Sequence, residues 1–422
     1  MIEDSHARRA VEAVWRAESA RIVAALIRHT GDFAWAEDLA QDALLEAIAK
    51  WPESGIPDNP GAWLLSVAKR RAIDGWRRRE RLALREPLFA VEVREAEQHD
   101  SVPDLADPDH IEDDVLRLVF IACHPVLPAQ ARLALTLRTV AGLTTEQIAR
   151  VLLMTVPTVQ QRIVRAKRTL SEAGVPFEVP DRASRPARLA SVLQVIYLLF
   201  TEGYAAAVGD RPVRPDVARE AVRLARQLSA LMPGEPEIDS LIALMEFQSS
   251  RFASRIDPDG LPLTLAEQDR QRWDRSSIAR GREAMARADA AGRGLGYYGL
   301  QAAIAECHAV APSFEETDWD RILSLYDALE ALAPSAVVRL NRAVAVSMAE
   351  GPAAALSVVA ELEPELGDFR PWHAVRAELL ERLGEADAAA ASFRVAAELP
   401  GNEAEAAVLL RRAAALQVDA PT

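Results

Sequence analysis

Two cysteines in 422 residues, Cys123 and Cys307, are too few and too far apart for a disulfide framework. They imply a reduced, cytoplasmic setting. Long apolar runs are also missing. The longest, Val192 to Phe200, is interrupted by Gln194 and is far shorter than the ~18 residues that suggest a membrane span. No signal-like apolar segment opens the chain, so no membrane partner is expected. Lysine is scarce beside arginine, and alanine is abundant. That is the mark of a GC-rich coding bias and carries no mechanism. No glycine-rich phosphate loop and no Ser/His/Asp arrangement can be placed. Cys123-His124 and Cys307-His308 are isolated pairs whose adjacent side chains lie on different faces of a helix, the wrong pattern for zinc. No catalytic residue, metal or cofactor is expected, and the chain does not read as an enzyme.

What is present is apolar and acidic. Half of the residues are hydrophobic and the formal net charge is −14. The length allows two to four domains. The charge is unevenly spread. Lys69 to Arg85 holds eight Lys or Arg against Asp74 and Glu80, and Pro128 to Leu170 holds seven against Glu146. Each stretch is thus about +6, a stripe suited to phosphates. Between them REAEQHDSVPDLADPDHIEDD is acidic and rich in Pro and Asp, the composition of an extended linker.

Thr144 to Arg168 predicts two short helices and a tight turn. Thr144 can cap the first helix, with Gln147 completing a capping box. Thr155 can cap the second, leaving Pro157 in the first turn, where its missing N–H is tolerated. Val156, Val159, Ile163, Ala166 and Leu170 recur at steps of three and four and share a buried face. At about 100° per residue, Pro157, Thr158, Gln161, Val164, Arg165 and Arg168 face the other way, flanked by Gln160, Arg162 and Lys167. This is the plan of a helix-turn-helix. Hydroxyls and amides near its N-terminus suit base edges, and guanidinium groups further on suit phosphates.

Upstream, the spacing predicts helices over 11–29, ended by Gly31, over 34–51, stopped by Pro52, and from Gly61 through the basic stretch. The second should expose Glu37, Asp38, Gln41 and Asp42 in its first turns. Downstream of Gly174, helices are expected over 187–206, 215–232, 236–254, 264–291 and 296–310, with EQDRQRWDR as a charged helix face and Trp273 turned inward. LGEADAAAASFRVAAELPGN matches half of a tetratricopeptide unit: Gly384 at the turn, Ala389, Phe393 and Ala396 on the packing face. Gly351 precedes Gly384 by 33 residues, close to the ~34-residue period. Such stacks present surfaces to a protein or peptide partner. The predicted fold class is all-α throughout.

WAEDLAQDALLEAIAKW, NPGAWLLSVAKRRAIDGWRRR and LTTEQIARVLLMTVPTVQQRIVRAKRTL, in this order, resemble an extracytoplasmic-function sigma factor of the sigma-70 family. FIACHP, LLFTEGY, EQDRQRWDR and LNRAVAVSMAEGPAAAL resemble the subgroup with a long helical extension ending in tetratricopeptide-like repeats. The resemblance implies sigma region 2 over 1–85, an acidic linker over 86–114, region 4 over 115–174, a helical extension over 187–310 and repeats over 311–417. It implies core RNA polymerase and promoter DNA as partners. Glu37, Asp38, Gln41 and Asp42 would contact polymerase. Arg70, Arg71, Asp74, Arg77, Arg78 and Arg79 would face the −10 element. Thr144, Thr145, Pro157, Thr158, Gln160, Gln161, Arg162, Arg165, Lys167 and Arg168 would serve the −35 element. Two other readings stay open: a regulator that binds DNA unaided, and a repeat scaffold whose basic patches are incidental.

Overall fold

The computed structural model describes residues 2–83, 108–152, 154–178, 180, 184–204 and 215–418. Residues 86–107 of the expected linker lie outside them. The chain divides into two compact units, Met1–Val195 and Ile196–Thr422.

The first unit opens with α1 (Ile2–Thr30), α2 (Phe33–Ser54) and α3 (Pro60–Ala83). Gly31, at φ 66°, ends α1. Asp32 then caps α2 through its carboxylate, which accepts from the Trp35 N–H at 3.0 Å. Pro52 does not stop α2. It sits in the last turn, and the helix runs on to Ser54 and closes at Gly55, φ 79°. So near the end, a proline removes only one intrahelical bond. Pro60, not Gly61, is the first residue of α3, and Asn59 caps that end by accepting from the Ala62 N–H. A proline at the first helical position gives up an N–H that has no partner anyway. Gly75 lets α3 approach α2: a Cβ there would lie 3.0 Å from Trp35 Cζ2.

Then come α4 (Pro108–Ala122), α5 (Ala129–Thr139), α6 (Thr145–Val151) and α7 (Val156–Glu172). Helix α4 starts at Pro108, inside the acidic segment expected to run to 114, so that segment ends in helix. Acids in a first turn favour the positive end of the helix dipole. α1 packs on α2, α3, α4 and α5, α5 on α6 and α7, and α2 on α7. The basic stripe and the helix-turn-helix therefore belong to one packed unit.

α8 (Arg185–Tyr204) carries the boundary between the units. The second unit continues with α9 (Pro215–Leu231), α10 (Pro236–Ser249), α11 (Arg275–Ala290), α12 (Tyr297–Val310), α13 (Trp319–Leu332), α14 (Ala336–Ala349), α15 (Pro352–Glu361), α16 (Glu363–Leu366), α17 (Arg370–Arg382), α18 (Ala386–Glu398) and α19 (Glu403–Val418). No β-strand occurs among the described residues; one isolated bridge joins Ile256 and Pro262. The fold is all-α.

One helix prediction fails. The helix expected over 264–291 begins only at Arg275, and the rest of EQDRQRWDR forms a loop with a short 3₁₀ turn, Arg270–Arg272. Asp269 and Asp274 turn their carboxylates back on N–H groups two residues on, which holds this stretch in turns. Trp273 is buried, as its position predicted.

The last helices stack in sequence. Leu300, Ile304 and Cys307 of α12 share a core with Ile322 and Leu329 of α13 and Ala345 of α14. Leu340 and Val346 of α14 meet Ala355 and Val359 of α15 and Trp372 of α17. Ala377 of α17 meets Phe393 of α18 and Ala413 of α19. Cores shared only by neighbours are the signature of repeat architecture. Gly351 (φ 103°) joins α14 to α15 and Gly384 (φ 82°) joins α17 to α18, the two turns predicted at the 33-residue spacing.

Candidate nucleic-acid interface

The hairpin of α6 and α7 has the predicted caps. Thr144 Oγ1 accepts from the Gln147 N–H at 3.2 Å, and Gln147 Oε1 accepts from the Thr144 N–H at 2.9 Å. Thr155 Oγ1 accepts from the Thr158 N–H, and the two hydroxyls share a hydrogen bond at 2.7 Å. Val159, Ile163, Ala166 and Leu170 are buried. Pro157, Thr158, Gln160, Gln161, Val164, Arg165 and Arg168 are exposed. Thr144 and Thr145 are half-buried at the start of α6, with the Thr144 hydroxyl held in the cap. Arg162 is half-buried and donates to Gln130 Oε1 at 3.3 Å, so it is directed at α5. Arg168 pairs with Glu172 at 2.6 Å on the open surface.

The second basic element is the C-terminal part of α3. Arg70, Arg71, Asp74 and Arg77 are exposed, and the side chains of Arg78 and Arg79 lie outside the described residues. Arg71 bridges two carboxylates of α2, Asp42 at 3.0 Å and Glu46 at 3.1 Å. Its hydrogen bond to Glu46 strengthens its hold on its proton, ahead of the attraction of Asp42. Trp76, among the arginines, instead turns inward to His29 (4.8 Å between rings) and Trp35 (5.5 Å). Lys69 is half-buried beside Arg28, and burial followed by that like charge lowers its pKa.

The acidic face of α2 departs from the sequence reading at one residue. Asp38 is exposed, and Gln41 and Asp42 are partly so, but Glu37 is 4% exposed. Its carboxylate accepts from Arg138 Nε of α5 at 2.8 Å and from Lys167 Nζ of α7. Lys167 also lies 3.7 Å from Asp38. Burial alone would raise the Glu37 pKa; the charges and hydrogen bonds of Lys167 and Arg138 outweigh it and hold the carboxyl below its usual range. Asp38 goes the other way, raised by burial and by the charges of Glu37 and Asp42 against the pull of Lys167. The sequence placed Glu37 and Lys167 in different roles, and the fold puts them in contact. Arg138 was not singled out at all. It sits in a helix of ordinary apolar spacing, and only the approach of α2 gives it a partner.

Three family models match this chain. Sigma-70 region 2 covers residues 14–82, and sigma-70 region 4 covers residues 117–170. These are the two bodies that carry the basic stripe and the helix-turn-helix. This is a sigma-70 family protein of the extracytoplasmic-function group. A family of unknown function (DUF6596) matches residues 188–289 of its extension. An uncharacterized protein of Rhizobium meliloti (strain 1021), R00370, is 44% identical over 390 residues, covering 91% of this chain and 90% of that one. This sigma-family chain and that protein therefore belong to one family, extension included. The crystal structure of the P58(IPK) TPR domain aligns with 90% of the chain and 99% of its own length, at 15% identity and a TM-score of 0.26. The region 2 and region 4 matches make the chain a sigma-factor-like transcription regulator. No described helix is long and apolar enough to cross a membrane.

Proposed function

We propose that the chain is a promoter-specificity subunit: it binds core RNA polymerase and directs initiation at promoters with −35 and −10 elements. The observation that carries this reading is the pairing of a region 2 body with a capped region 4 hairpin whose outer face is polar and basic. The boundaries follow: region 2 over 1–85, the acidic linker over 86–114, region 4 over 115–174, then the extension over 187–310 and the repeats over 311–417.

In this reading Thr158, Gln161 and Arg165 address base edges, with Gln160 on their flank and Arg168 on phosphate. Thr144, Thr145 and Arg162 are less available: Thr144 is held in the cap of α6, Arg162 is hydrogen-bonded to Gln130 of α5, and Thr145 is half-buried. Arg70, Arg71, Asp74, Arg77, Arg78 and Arg79 face the −10 element. Asp38, Gln41, Asp42 and, once uncovered, Glu37 meet polymerase. The protein acts in the cytoplasm, needs no cofactor, is not an enzyme, and uses its repeats to hold a protein or peptide. The extension regulates the sigma half.

Run-off transcription with core polymerase on genomic fragments tests the reading. Discrete start sites that depend on this chain support it. Duplex DNA binding without any capture of core polymerase would replace it with a stand-alone DNA-binding regulator.

A further inference from the structure

We propose that Arg138 and Lys167 form a receptor for the Glu37 carboxylate, and that this contact closes region 2 onto region 4 so that one polymerase-facing and one DNA-facing residue mask each other. The inference rests on the assignments proposed above.

The triad is built from three helices. Glu37 lies in the first turns of α2, Arg138 near the end of α5 and Lys167 in the C-terminal half of α7. Their side chains are 5%, 15% and 13% exposed. Both oxygens are used: Oε1 by Arg138 and Oε2 by Lys167. Arg138 also donates to the Leu143 carbonyl at 3.3 Å, which fixes its head over the loop leading into the hairpin. A second ion pair lies where the linker enters region 4: Arg28 of α1 meets Asp114 of α4 at 3.2 Å, with Asp114 also held by Arg117.

A buried ion pair sets register more than it adds stability, because desolvation consumes most of the Coulomb gain. Opening the triad returns all three charges to water at little net electrostatic cost, so this contact is specific yet reversible. Opening also restores what a DNA-binding element needs. A phosphate can replace the Glu37 carboxylate on Lys167, and the freed carboxylate joins Asp38, Gln41 and Asp42 on α2. DNA and polymerase are thus both competitors of the same internal contact. A ligand that binds only the open form shifts the balance by its differential affinity.

The test uses the full chain with fluorophores on Leu45→Cys and Glu172→Cys, both exposed positions on α2 and α7. The native Cys123 and Cys307 are buried. Energy transfer should report one short distance in the parent. Glu37→Lys puts three cations together and should lengthen it, and Glu37→Lys with Lys167→Glu should restore it. Glu37→Lys should also bind a mixed-sequence duplex about tenfold more tightly at low salt, as expected if the closed form predominates about ten to one. An unchanged distance in folded Glu37→Lys overturns closure by the triad. An opened chain with unchanged DNA affinity overturns the masking. Should Glu37→Lys fail to fold, Glu37→Gln decides both readouts in the same directions, with smaller shifts. An opened chain, and a parent, that bind no duplex at all would support the latch and overturn the promoter reading.

Discussion

Gly281 lies against the ring of Phe247 with no room for a side chain: a Cβ there would come 2.6 Å from Phe247 Cε1. Phe247 is 1% exposed, so the ring has nowhere to go. This close approach sets the spacing of α10 and α11. On α11 the same packing lets Arg280 reach the buried Glu246 and Arg287 reach Asp239. Gly281→Ala should destabilise the extension by about 1–3 kcal/mol, the ordinary cost of overpacking. A melting midpoint equal to the parent's would show that α11 can shift aside freely.

Arg270 is the second test of the extension. It is 7% exposed and donates to the carbonyls of His308 at 2.5 Å and Ala311 at 2.9 Å, holding the C-terminal end of α12. Its guanidinium also stacks over Trp273 at 4.7 Å. The neighbouring His308 ring stays neutral, pushed down to about 4 by burial and then by Arg251 and Arg270. Arg270→Met should cost about 3 kcal/mol, because it leaves helix-end carbonyls buried without donors. Chemical denaturation of the full chain measures this, and a loss under about 0.5 kcal/mol, the range of ordinary surface substitutions, would refute the role.

On α7, Arg165 and Arg168 should behave differently. Arg165→Ala should relax base preference at one or two positions, at about 1–3 kcal/mol for a good bidentate contact. Arg168→Ala should weaken all sequences alike and lower the salt slope by about one unit. Binding of a promoter library at several salt concentrations separates the two. Equal, sequence-independent losses in both would erase the division between base and phosphate contacts.

The polymerase face of α2 is tested with Asp38→Lys and Asp42→Lys together. Asp38 is open, and Asp42 is half-exposed and tied to Arg71. The double change should abolish core polymerase capture while circular dichroism stays helical. Normal promoter-dependent transcription from it would remove α2 from the polymerase interface.

Acid should loosen the first unit through Glu37. Its carboxyl sits below the ordinary 4.5 despite burial, because Lys167 and Arg138 face it from α7 and α5. A depressed folded pKa adds stability that is fully present above the unfolded value and is lost as the pH falls through the folded one. Asp38, raised by burial and by Glu37 and Asp42, works weakly in the opposite direction. The short α2–α7 distance should therefore hold above about pH 5 and be lost progressively below the ordinary Glu range. In Glu37→Gln that pH dependence should be flat, and an identical decline there would assign the transition to other carboxylates.

Local chemistry made much of this protein legible in its sequence. Thr144 with Gln147, Thr155 ahead of Pro157, and the 33-residue spacing of Gly351 and Gly384 all act through neighbours in the chain, so the caps and turns they predict form as expected. The apolar register of α7 is equally local, and it separates a buried face from an exposed one. Short-range rules misjudged Pro52, whose position in a last turn spares the helix, and 264–274, where the turn-forming carboxylates of Asp269 and Asp274 override apolar spacing. Pairing across long separations was invisible. Glu37 and Lys167 stand 130 residues apart, and Glu37 and Arg138 stand 101 apart. A charged residue on an amphipathic helix reads as solvated, and only the approach of another helix can bury it and supply its counter-charge. Tertiary packing alone decided that the acid proposed to meet polymerase and the cation proposed to meet DNA satisfy each other.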